Sequence, residues 1–67
     1  MSEPINVPLN SDEIEMLVDA LEIDLEGYIE SASAAKESGN REDVQTFTEA
    51  AKRIQVLKAR LEDLIED

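Results

Sequence analysis

Apolar residues recur along this chain in two long runs at alternating steps of three and four, the signature of helices that bury one face. The first run is Ile14, Val18, Leu21, Leu25, Tyr28, Ala32 and Ala35; the second is Val44, Phe47, Ala51, Ile54, Leu57, Leu61 and Ile65. Between them stand Ser38, Gly39 and Asn40, where Gly supplies the left-handed residue that ends one helix and Asn caps the next. Ahead of the first run, Asn10 with Glu13 three residues on has the form of a capping box, and Leu9 can staple onto Ile14. The pattern predicts a first helix over about 11–38, a turn at 39–40 and a second helix over about 41–66. Residues 1–9 hold Pro4 and Pro8, so they form an extended N-terminal arm, and residues 10–67 form the hairpin.

Folding the chain back at Gly39 makes an antiparallel hairpin in one register. The expected layers are Ala35 with Val44, Ala32 with Phe47, Tyr28 with Ala51, Leu25 with Ile54, Leu21 with Leu57, Val18 with Leu61 and Ile14 with Ile65. Facing position numbers add to 79 in six layers and to 78 in the Leu21–Leu57 layer. Large residues meet small ones near the turn and aliphatics meet aliphatics further down, as close packing requires. The fold class is therefore all-α, an antiparallel two-helix hairpin.

A hairpin of two helices leaves apolar surface over. At about 100° per residue, Leu17, Ala20, Tyr28 and Ala35 fall on one flank of the first helix, and Ala50, Leu57 and Leu64 on the same flank of the second. A homodimer closing into a four-helix bundle covers that flank without further sequence. The expected dimer interface is Leu17, Ala20, Tyr28, Ala50, Leu57 and Leu64. Met16 and Ile23, in a row with Gly27 and Ala34, lie off the main stripe as exposed apolar residues or as a second contact line. Val56 has no assigned role.

Composition sharpens this picture. The chain has 67 residues, no Cys and no His, so neither disulfides nor ordinary zinc sites can reinforce a small core. Oligomerisation is the remaining reinforcement. The net charge is −11, which repels nucleic-acid backbones and anionic membranes and matches a basic protein partner. No membrane span and no signal peptide is legible, so the expected location is cytoplasmic.

The charge is unevenly placed. Through Asn40 there are ten acidic residues and one Lys; after it come seven acidic and five basic ones. Asp12, Glu15, Asp19, Glu22, Glu26, Glu30 and Glu37 form one acidic stripe along the first helix, on the side away from the apolar flank. Its Glu15–Asp19, Glu22–Glu26 and Glu26–Glu30 pairs repel, each by roughly 0.2–0.5 kcal/mol. A solvated face that keeps a small protein soluble accounts for the stripe. It also has the form of a docking surface for a basic protein, with nucleic-acid mimicry as one version, since the carboxylates recur about 5–6 Å apart along a rod.

Candidate chemistry is thin. A surface cation held by Glu22 and Glu26, or by Glu26 and Glu30, would lack the His of di-iron bundles and any EF-hand loop, so no metal, cofactor or catalytic residue is expected. No nucleophile–base pair is visible, and the chain is not expected to be an enzyme. The arm offers a separate surface: Ile5, Val7 and Leu9 either pack across the open end of the bundle or add as a strand to a partner's sheet. The expected activity is protein–protein interaction or regulation by a homodimer, with inhibition by nucleic-acid mimicry as the alternative.

Overall fold

In the computed structural model, which describes residues 3–65, two helices pack against each other, α1 over Ser11–Glu37 and α2 over Arg41–Glu62. Helix α1 starts where the sequence places its cap. The Asn10 side chain accepts from the Glu13 N–H at 2.8 Å, and the Asn10 N–H donates to Glu13 Oε1 at 2.9 Å, which completes the capping box. At the other end the Asn40 N–H donates to the Ala35 carbonyl at 2.9 Å and the Gly39 N–H to the Lys36 carbonyl at 3.1 Å. These are the two bonds of a Schellman stop, and Gly39 takes the φ of +75° that it needs. Asn40 then caps α2 by accepting from the Asp43 N–H at 3.2 Å, while its amide donates to Asp43 Oδ2 at 2.9 Å.

A β-carbon at Gly39 would meet no neighbour, so the cost of a side chain there comes from backbone conformation alone. Gly39→Ala is expected to destabilise the hairpin by about 1–2 kcal/mol, seen as a lower midpoint in thermal unfolding followed by helical circular dichroism. An unchanged midpoint would mean that the turn has another low-energy form.

Helix α2 ends at Glu62, four residues short of the expected end at 66. Glu62 and Asp63 place carboxylates at the negative end of the helix dipole, which favours release of the last turn. Residues 66 and 67 lie outside the described residues.

The inward row of α1 is as expected: Ile14, Val18 and Ala35 are buried, and Leu21, Leu25, Tyr28 and Ala32 are half-buried. On α2, Val44, Phe47, Ala51, Ile54 and Leu61 are half-buried, as is Ile65 just beyond its end. The Tyr28 and Phe47 rings meet across the seam with centroids 6.1 Å apart, tilted by 41°. One layer differs. Leu57 is 43% exposed, and Lys58 takes the inward place with a side chain only 22% exposed. With Lys58 in the inward place given to Leu57, facing position numbers add to 79 in every layer, as the regular repeat requires. A strict alternation of three and four from Ile54 reaches 58, not 57.

The arm does not close the open end of its own hairpin. Ile5 and Val7 are exposed at 82% and 62%, and Leu9 keeps 38% of its surface in solvent. No described helix is long and apolar enough to cross a membrane.

Candidate functional site

The hairpin is one helix thick, with principal extents of 43 × 27 × 13 Å, so it presents two broad flanks rather than a cavity. Each flank is built by rows spaced seven residues apart on both helices. On the first flank, α1 places Leu17, Asp24 and Ser31, with Ser38 at its C-cap, and α2 places Asp43, Ala50 and Leu57, with Leu64 in the turn just beyond its end. Ser31, Ser38, Asp43 and Phe47 line one shallow groove, which shows that the two rows share a face. Leu17 and Leu57 are just over two-fifths exposed and Leu64 more, while Ala20 is exposed and Ala50 half-buried. Tyr28 belongs to the seam and borders this flank. Outside Leu57 stand Arg53 and Arg60, lining a groove with Ile54 and Val56.

The second flank is polar and divided along its length. Toward the open end, Glu15, Asp19, Glu22 and Glu62 surround a groove over Val18 and Ile65. Lys58 reaches this rim, with Nζ 3.7 Å from Glu22 Oε1 and 4.0 Å from Glu62 Oε2. Its aliphatic stem fills the seam while the ammonium sits among carboxylates. Asp12, Glu15, Asp19, Glu26, Glu30 and Glu37 are exposed, with no cation within 4.0 Å among the described residues. Toward the turn the sign reverses: Lys36, Arg41 and Lys52, half of the chain's six cations, ring a groove with Val44, Thr48 and Glu49. Beside it Ile29, half exposed, shares a groove with Ala32, Ser33 and Lys36 of α1 and Val44, Thr48 and Ala51 of α2.

Sequence reading placed the stripe and the apolar flank on opposite sides, and the two faces are separate in the structure. It missed Lys58 as an inward residue, Ile29 as an exposed apolar position and the cluster of three cations at the turn. Ile29 was legible as the member of the Glu15, Glu22, Ile29, Lys36 row that breaks the acidic pattern. The cation cluster needed the hairpin, because positions 36 and 52 meet only after folding. Among the described residues no group of three or more metal-ligating side chains converges. Comparison with protein-family models, with curated proteins and with solved structures finds no match to this chain.

Lys58 permits a direct check of its inward position. The two ion pairs are partly exposed and worth about 0–1 kcal/mol, whereas a leucine in that layer adds buried apolar surface beside Leu21. Lys58→Leu is expected to raise the unfolding midpoint by a few degrees, corresponding to about 1 kcal/mol at about 0.8 kcal/mol per buried methylene. A fall in the midpoint would show that the Lys58–carboxylate contacts outweigh packing.

Proposed function

We propose that this chain is a small acidic interaction module that works as a homodimeric four-helix bundle and binds or regulates another protein. The observation that carries the reading is surface. The chain, its extended arm included, exposes 5824 Å², whereas a compact monomer of 7.5 kDa exposes roughly 4,200 Å². The excess is comparable to the roughly 1,200–2,000 Å² that a stable interface buries from both partners together. Among the described residues only Ile14, Val18 and Ala35 are buried hydrophobes, so a single copy has little core of its own. A second layer of helices over the Leu17–Leu57–Leu64 flank supplies the missing side of that core.

With that flank covered, the acidic stripe and the arm stay open for a third party. A basic protein is the partner that the stripe fits, and a sheet edge is the partner that exposed Ile5 and Val7 fit. Cytoplasmic residence belongs to the same proposal, supported by a cysteine-free composition. Sedimentation velocity at micromolar concentration tests the dimer: a particle of twice 7.5 kDa supports it, and a stable helical monomer overturns it.

The alternative, a mimic of nucleic acid that occupies a basic binding groove, draws on six stripe carboxylates with no cation within 4.0 Å among the described residues. Replacing Glu22, Glu26 and Glu30 by Gln tests it. Mimicry requires that nucleic-acid-binding proteins be captured by the wild-type chain from its native cell and lost with the triple variant.

A further inference from the structure

The apolar flank carries charges that decide how a second copy sits on it. Asp24 lies in the same row as Leu17, and Arg53 lies beside Leu57. Neither has an oppositely charged group within 4.0 Å among the described residues, since both ion pairs there belong to Lys58. The seam register, in which facing positions add to 79, puts Asp24 level with Gln55, and the Glu22–Lys58 contact agrees with it to within one residue. Arg53 is then two residues nearer the turn, about 3 Å along the axis, and both charges stand near the middle of the hairpin.

Two two-fold arrangements cover this face. With the axis across the hairpin, the turns point to opposite ends, and each helix lies on its own copy. Asp24 then approaches Asp24 of the partner subunit, Arg53 approaches the partner's Arg53, and Leu64 faces toward the partner's Asp43. With the axis along the bundle, the turns share one end and α1 lies on the partner's α2. Asp24 then faces the partner's Arg53, twice over. Leu17 meets the partner's Leu64, and Ala20 leaves room for the partner's Leu57.

We propose that the chain dimerises in this second way, turns at the same end, with Asp24 of each protomer paired to Arg53 of the partner subunit. The inference rests on the homodimer reading above. The acidic stripes do not oppose it. They lie on the outer side of α1, and the two α1 helices occupy diagonal corners of the bundle. With neighbouring axes 8–10 Å apart, the stripes are separated by more than the Debye length of about 8 Å at physiological salt. The interfacial pairs are close and partly shielded from water, so they decide the orientation.

The absence of cysteine allows one reporter position. Ser38→Cys carries a nitroxide at the turn, where the native side chain makes only a bond to the Ala34 carbonyl. Pulsed dipolar spectroscopy is expected to give a label separation below about 25 Å, whereas turns at opposite ends would give about 40 Å at 1.5 Å per residue. The longer distance overturns the orientation and leaves the dimer standing. No dipolar coupling, together with a monomer when the unlabelled native chain is sedimented, overturns the homodimer itself. A charge swap tests the pairing in the native background. Asp24→Arg and Arg53→Asp should each weaken dimerisation at least tenfold, and the chain carrying both should recover most of it. A double variant no tighter than the singles overturns the Asp24–Arg53 pairing.

Discussion

Leu57→Glu is expected to sediment as a monomer under conditions where the unaltered chain sediments as a dimer. Leu57 is 43% exposed in the single hairpin, and Lys58 rather than Leu57 fills the seam layer. The substitution therefore removes little from the hairpin. In the proposed dimer both copies lose a leucine, each worth about 1.5–3 kcal/mol when fully buried. The introduced carboxylates must also be accommodated beside apolar neighbours. The dissociation constant should rise by roughly a hundredfold or more. Gln55→Glu adds the same charge two residues away on the polar flank, and it should leave the dimer intact. If Leu57→Glu still sediments as a dimer, the apolar flank is not the interface.

Ile14→Ala carries the largest expected cost to the fold itself. Ile14 is the most buried of the hydrophobes, at 6% exposure, and lies in the outermost layer opposite Ile65. Truncating a buried isoleucine typically costs about 2–5 kcal/mol, and a core of this size supplies no more than about 3–5 kcal/mol in total. The variant should lose most of its helical signal at 37 °C. Ile23→Ala, at an exposed site on the outer side of the same helix, should melt like the parent. Equal melting of the Ile14 and Ile23 variants would mean that the hairpin seam is not the stabilising core.

The contrast between these two positions shows why much of the fold was legible. Ile14 belongs to a row repeated at three and four, and Ile23 does not. The capping box at Asn10 and the left-handed Gly39 rest on bonds within a few residues, so their residue types announce them. The candidate surfaces were legible only in outline. The acidic stripe lies on one helix and can be counted from spacing, whereas the cation cluster of Lys36, Arg41 and Lys52 spans both helices. The N-terminal arm illustrates the opposite limit. Its alternation of Ile5, Val7 and Leu9 suits packing, yet within one hairpin no surface covers Ile5 or Val7.

By itself the sequence determined two capped helices, their reversal at Gly39 and the apolar face of each, because periodicity, capping and backbone handedness act over a few residues. The tertiary structure decided which of two adjacent residues, Leu57 or Lys58, faces the seam. The direction of the seam on α2 is set by where α1 lies, and a heptad repeat carried through the hairpin places position 58 inward whatever its polarity. That choice turns Leu57 outward and brings Lys58 to Glu22 and Glu62. Hydrophobicity alone ranked these two residues the wrong way, since a lysine stem packs in the seam while its ammonium reaches water and carboxylates.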